Sequence, residues 1–329
     1  MKAILPVAGV GTRLRPLTHT TPKALVHVAG KPILGHILDS LVAVGVEEVV
    51  LIVGYLGDQI VDYVKSTYSV GVRFVEQPDR RGLGHAIFLA KEEIADDEPV
   101  LIVLGDTIFS ADLDSILAAG QSAIGVYEVE DPTRFGVVEL DGSRIKRLVE
   151  KPVDPPSNLA SVGVYYLESS RRLFRALQQI IDQDIKVKGE YQLTDALQLL
   201  IEQGEDMSVF PVDDWLDCGN PETLLSSNRL ILERNSSGCF SGERQECIFL
   251  PPVSIAPSAK ITQSIIGPYV SIADGAEVHQ CILRNSIVNR NAHVSHVLLS
   301  DSIIGEQAVV GGTYTRVNVG DSSDIQVAG

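Results

Sequence analysis

The chain has 329 residues, of which 45% are hydrophobic and 21% charged, and a formal net charge of −16. That length suits two domains better than one, and no apolar run approaches the ~20 residues of a membrane span. The deficit of Lys and Arg argues against a polymeric nucleic acid as partner, since such binding depends on cations that neutralise phosphates. A mononucleotide stays compatible, because local cations and a bound metal set the field inside a pocket.

The first element is an apolar strand, Ala3 to Val7, which feeds Gly9-Val10-Gly11-Thr12-Arg13-Leu14-Arg15-Pro16 and then Pro22-Lys23. Glycines let backbone N–H groups approach phosphate oxygens, and the arginines and the lysine add charge, so this loop is expected to grip a polyphosphate. It is neither a dinucleotide fingerprint, which needs a glycine where Leu14 stands, nor a P-loop, which ends in Gly-Lys-Ser/Thr. Met1-Lys2 and the apolar stretch superficially match a signal peptide, but the stretch is short and its removal would delete the loop.

Further strands are expected at Val49–Val53, Val72–Val75 and Val100–Leu104, with helices at Ile33–Val44, Asp58–Lys65 and Leu83–Ile94. Buried apolar strands alternating with amphipathic helices mean an α/β domain with a mostly parallel sheet covered on both faces. Ligands in such sheets bind beyond the carboxyl ends of the strands. Gln77 and Gly82 follow the third strand, where an amide edge and a bare backbone can read a base. Asp106 follows the fourth strand and Asp217 follows the apolar stretch Met207–Val212, so the two carboxylates are candidate Mg²⁺ ligands. Taken alone, each is equally a turn residue. Glu150-Lys151-Pro152 closes the strand Ile145–Val149, and by spacing alone it is an exposed ion pair. Glu190 to Asp195 open a helix and read as core and capping.

After about residue 250 the rhythm changes. Ile255, Ile272, Val288 and Ile304 are spaced by 17, 16 and 16 residues; Ile261, Val278, Val294 and Val310 repeat those spacings, and Ile266, Leu283 and Leu299 follow at 17 and 16. Three interleaved series stepping by five or six residues describe a hexapeptide-type repeat, three short strands per turn of a parallel β-helix. An antiparallel sheet is the alternative. The expected domains are 1–238 and 239–329. Cys218, Cys239, Cys247 and Cys281 lack metal-site spacing and are expected to be reduced thiols of a cytoplasmic protein.

Together these motifs resemble the sugar-1-phosphate nucleotidylyltransferase family. The signature is present as Gly9–Pro16, Pro22-Lys23 and Lys31-Pro32, joined by Leu104-Gly105-Asp106, Glu150-Lys151-Pro152 and Trp215-Leu216-Asp217-Cys218-Gly219. The chain is most similar to the long-form glucose-1-phosphate thymidylyltransferases. That resemblance implies a Rossmann-like nucleotidyltransferase domain followed by a left-handed β-helix, with Mg²⁺ as cofactor and a nucleoside triphosphate and a sugar-1-phosphate as substrates. It implies nucleotide binding by Ala8, Gly9, Gly11, Thr12, Arg13, Gln77 and Gly82, and catalysis by Arg13, Lys23 and Asp106. Gly136, Glu150, Lys151 and Gly163 would bind the sugar phosphate, with Lys23 sharing that task, and Asp106 and Asp217 would hold the metal. Ala8 stands where the family often has glycine, the start Leu5–Gly9 looks more like UTP–glucose-1-phosphate uridylyltransferases, and Thr107 stands where thymidylyl enzymes commonly have Asn. The choice between dTTP and UTP therefore stays open.

Two other classes compete. A non-catalytic regulatory or assembly subunit of this fold would have eroded Arg13, Lys23, Asp106 or Asp217, and all four are intact. An acyltransferase β-helix could use His279, His293 or His296 as a base, but about three turns is short for one. Oligomerisation or support of the first domain is the favoured role, and a homo-oligomer is expected because the end of a β-helix is an open strand edge.

Overall fold

The computed structural model describes residues 1–95, 97–234 and 244–312. The chain divides into two compact units, Met1–Ser227 and Asn228–Gly329. The boundary expected at 238/239 lies outside the described residues, as does Cys239.

The first unit is built on a nine-stranded sheet. Its strands are β1 (Lys2–Pro6), β2 (Glu48–Val53), β3 (Gly71–Glu76), β4 (Val100–Val103), β6 (Ala123–Glu128), β7 (Gly136–Asp141), β8 (Arg144–Glu150), β9 (Leu159–Leu167) and β10 (Ser208–Pro211), in the order β3-β2-β1-β4-β9-β6-β10-β8-β7. A separate antiparallel ribbon joins β5 (Thr107–Ser110) to β11 (Asp214–Asp217). The four strands β1 to β4 are parallel, as expected. β9 runs antiparallel to β4 and β6, and of the later pairings only β10 with β6 is parallel. The parallel character thus belongs to the half built before residue 104, where Ile4, Leu5, Val50, Leu51, Leu101 and Ile102 are fully buried. β1, β2 and β4 have no solvent-facing side, which is why their sequences are runs and not alternations, whereas the edge strand β3 alternates exposed and half-buried residues.

Helices α1 (Ile33–Ala43), α2 (Gly57–Thr67) and α3 (Leu83–Leu89) fall where expected, α3 tightening into a 3₁₀ turn at Ala90–Glu93. The later helices are α4 (Leu113–Ala119), α5 (Ser170–Asp182), α6 (Leu193–Glu202) and α7 (Pro221–Arg234). Polar caps mark several starts: Ser169 Oγ accepts the Arg172 N–H at 3.2 Å, and Asn220 Oδ1 accepts that of Thr223 at 3.0 Å, with Pro221 at the first helical position. No helix among the described residues is long and apolar enough to cross a membrane.

The second unit stacks short strands into three parallel sheets of five, four and four. The register reproduces the three sequence series. Ile255 pairs with Ile272, Ile272 with Val288, and Val288 with Ile304. Ile261 pairs with Val278, then Val294, then Val310. Ile266 pairs with Leu283 and then Leu299. These side chains form one buried column, so each turn of a β-helix covers the apolar interior of the turn before it.

Candidate active site

The phosphate loop leaves β1 with its glycines differently employed. Gly11 has φ 65, and a Cβ there would meet Lys23 Cβ at 2.9 Å and Thr18 Cγ2 at 3.0 Å. Close packing of the loop against Lys23 thus demands glycine. Thr18 Oγ1 donates to the Gly11 carbonyl at 2.7 Å and fixes the turn. Gly9 has nothing within 4 Å of its missing side chain, which leaves its backbone open to a ligand.

Lys23 emerges from under this loop and donates from Nζ to Asp106 Oδ2 at 2.6 Å. Asp106 sits at the tip of the β4–β5 turn, which passes so close to β1 that a Cβ on Gly105 would lie 2.5 Å from Val7 Cγ1 and 2.9 Å from the Pro6 carbonyl. The β5–β11 ribbon then brings in the second carboxylate. Asp217 pairs with Thr107, and the Cys218 N–H donates to the Asp106 carbonyl at 3.2 Å. Cys218 is buried, and burial pushes its thiol up to about 12, with Asp217, Lys23 and Asp106 all acting on it. Arg13 arrives on the same side: a Cβ on Gly219 would meet Asp217 Oδ1 at 2.7 Å and Arg13 Nη2 at 3.1 Å. Gly219 is therefore the gap through which Arg13 and Asp217 approach each other.

A cavity of about 290 Å³ opens beside these groups. Ala8, Gly9, Lys23 and Asp106 line one part of its wall, and Gln77, Gly82, Arg80 and Glu190 line the rest. Gln77 Nε2 donates to the Gly82 carbonyl at 3.3 Å. Gly11, Thr12, Arg13 and Asp217 stand outside this lining, on the loop and the ribbon. A site with clustered cations and two carboxylates fits a hard divalent cation, which takes one or two carboxylates and completes its shell with phosphate oxygens and water.

Of the remaining predicted residues, Gly136, Glu150 and Lys151 form a second cluster. Gly136 pairs with Glu150 across β7 and β8, and a Cβ on it would meet Glu150 Oε2 at 3.4 Å and Thr194 Oγ1 at 3.5 Å. Lys151, at φ 43, turns back to pair its Nζ with Glu150 Oε1 at 2.9 Å. Gly163 lies behind Leu104, where a Cβ would be 2.8 Å from that side chain. Its carbonyl accepts the Leu104 N–H at 2.9 Å, so it backs the turn that carries Asp106. Tyr165 is buried behind Ser161, whose hydroxyl meets the phenol at 3.0 Å, and burial pushes that phenol up to about 12.

Sequence reasoning missed Thr194, Glu190 and Arg80 as site residues. Thr194 opens α6, reads as a capping residue, and instead donates to Glu150 Oε2 at 2.7 Å. A polar residue whose oxygen faces a strand 44 positions away leaves no local signal. In the β-helix, His279 Nδ1 contacts Thr262 Oγ1 at 2.7 Å, and His293 Nε2 lies 3.3 Å from Glu277. The rings of His279 and His296 meet edge-on at 5.4 Å.

Residues 2–234 match the family model described as nucleotidyl transferase. The chain belongs to the nucleotidyl transferase family. It is 31% identical to the low-salt glycan biosynthesis nucleotidyltransferase Agl11 of Haloferax volcanii, over 99% of the chain and 100% of that protein. It is 32% identical to a glucose-1-phosphate thymidylyltransferase of Streptomyces griseus, with both sequences fully covered. Among solved structures, UDP-glucose pyrophosphorylase complexed with UDP-glucose superposes with a TM-score of 0.62 at 26% identity, covering 71% of this chain and 98% of that one. The family match ends at Arg234, before the β-helix repeats.

Proposed function

We propose that this nucleotidyl transferase carries out Mg²⁺-dependent transfer of a nucleotidyl group from dTTP or UTP to glucose-1-phosphate or a related sugar-1-phosphate. The observation that carries the reading is the convergence of Lys23, Asp106, Asp217 and Arg13 around one glycine-rich loop. An oxygen of the sugar-1-phosphate attacks the α-phosphorus in line, the α–β bridging bond breaks, and its electron pair leaves with pyrophosphate. The attacking oxygen is already anionic, so no general base is required, and catalysis reduces to positioning and charge stabilisation. Arg13 stabilises the triphosphate and leaving-group charge. Lys23 and Lys151 hold the sugar phosphate, Glu150 accepts sugar hydroxyls beside Gly136, and Gln77 and Gly82 read the pyrimidine. Asp106 and Asp217 hold Mg²⁺, which when bound neutralises the triphosphate and polarises the α-phosphoryl group.

Two further features complete the reading. Free thiols at Cys218, Cys247 and Cys281 support a cytoplasmic setting. Ile248, Ile265, Ile282 and Leu298 form an outward row in register on one β-helix sheet, with Leu298 72% exposed. Such a row is self-complementary with that of a second copy, which supports a homo-oligomer. Leu298→Glu is expected to lower the mass measured by light scattering; an unchanged mass removes this surface from the assembly.

The functional test is pyrophosphate release with Mg²⁺ across dTTP, UTP, CTP, GTP and ATP, with glucose-1-phosphate as acceptor. Release with dTTP or UTP supports the reading and sets the base. Silence with every nucleotide across a panel of hexose and amino-sugar 1-phosphates defeats it.

A further inference from the structure

The segment 184–191 leaves α5, turns back on itself and lies against the loop Gln77–Gly82. Lys188 and Gly189 take φ 53 and 83, and Val187 and Glu190 close the turn with reciprocal backbone hydrogen bonds at 3.0 and 3.1 Å. Tyr191 ends the segment and is 1% exposed, although its neighbours 182 to 190 are mostly exposed. Its backbone N–H donates to the Arg81 carbonyl at 2.8 Å, and its carbonyl accepts the Gly84 N–H at 2.8 Å. A Cβ on Gly82 would lie 2.5 Å from that carbonyl oxygen, so only glycine lets the two segments meet.

The Tyr191 side chain repeats the grip. Its hydroxyl donates to Asp184 Oδ1 at 2.6 Å and accepts from Arg81 Nη2 at 3.0 Å. Arg81 lies 5.1 Å from the ring centroid and the Lys186 ammonium 4.9 Å, so two cations attend one buried ring. Contacts then run in one direction. Tyr191 fixes Arg81 and Gly82, the Gly82 carbonyl receives the Gln77 amide, and Gln77 and Gly82 line the cavity with Glu190.

We propose that Tyr191 is a positioning residue for the nucleotide: the hydroxyl bridge between Asp184 and Arg81 holds the Gln77–Gly82 loop in the conformation that reads the base. The proposal rests on the reading of that loop as the base end of the cavity. Loss of the hydroxyl leaves the backbone contacts in place but frees Arg81, so the loop keeps its path and loses its rigidity.

The test compares full-length wild type, Tyr191→Phe and Asp184→Asn. Nucleotide affinity is measured by calorimetry with UTP, dTTP and CTP, and steady-state constants by pyrophosphate release. Both variants should weaken binding of the preferred nucleotide and raise its KM about five- to tenfold, the scale of one net intramolecular hydrogen bond. The preference over CTP should narrow, while kcat and the sugar-1-phosphate KM stay within twofold. If both variants match wild type in affinity and in base preference, Tyr191 is a structural residue only and the proposal fails, whatever the change in melting temperature. Asp184→Asn, at an exposed side chain, decides the matter if Tyr191→Phe does not fold. Wild type that binds nucleotide without turnover defeats the functional reading and leaves the affinity comparison valid. Wild type that binds no nucleotide defeats both.

Discussion

The two units solve opposite problems with similar residues. In the first, isolated glycines at 11, 82, 105 and 219 each permit one close approach, and each approach places a functional group. In the second, equivalent positions recur every turn, and the interior is a column of aliphatic side chains with a register copied from coil to coil. Chemistry needs unique contacts between distant segments. A stacked scaffold needs only that each turn cover the last. Substitutions in the first unit should therefore cost activity more than stability, and in the second stability more than activity.

The largest expected effect is on activity. Asp106→Asn removes the partner of Lys23 and one candidate metal ligand, and should lower kcat about 10²–10³-fold with a melting midpoint within a few degrees of wild type. Loss of fold instead of rate would mean that the first unit, too, spends this carboxylate on stability. Leu283→Ala is the converse: its fully buried side chain joins Ile266 and Leu299, and its truncation should cost about 2–5 kcal/mol. Denaturant unfolding measures that loss, and kcat at a temperature well below the transition should not move.

A pH dependence separates the units further. Burial holds His36 in the first unit down at about 4, against an ordinary 6.5, despite its contact with the Val28 carbonyl at 2.9 Å. The unfolded chain therefore binds a proton between those values that the folded chain refuses. The contribution is fully present above pH 6.5 and declines on acidification, by up to about 3 kcal/mol at pH 4. His36→Gln should flatten that part of the stability profile; equal slopes for variant and wild type between pH 4.5 and 7 would sink the assignment. The smallest effect tests the second cluster. Thr194→Val deletes the hydrogen bond to Glu150 and should raise the sugar-1-phosphate KM about fivefold, with the nucleotide KM unchanged. A shift in the nucleotide KM alone would move Thr194 to the other substrate.

The legibility of the sequence follows the same division. In a parallel coil, spacing along the chain is register in space, so intervals of 17 and 16 residues translate directly into the pairing of Ile255 with Ile272 and of Ile272 with Val288. The glycine-rich loop after β1 was legible for a related reason: strand, glycines and cations are contiguous, and the loop is a local object. In the half of the sheet formed by β6 to β10, only the strands at Ile145–Val149 and Met207–Val212 were legible and their pairing was not, because antiparallel pairings such as Leu159 with Glu128 join segments that share no period. Thr194, Glu190 and Tyr191 escaped for that reason too. Their importance lies in partners at Glu150, Gly82 and Arg81, and nothing in Glu-Tyr-Gln-Leu-Thr announces those distances.

The β5–β11 ribbon has a consequence for the order of events in the cell. Asp106 and Asp217 come from segments far apart in the chain and become neighbours only when Asp214–Asp217 zips onto Thr107–Ser110. A ribosome must therefore translate past residue 217 before the acid pair exists. A chain that ends earlier carries the glycine-rich loop but lacks Asp217, one of the two candidate metal ligands. On the proposed function, turnover then requires a chain long enough to have built the whole first unit.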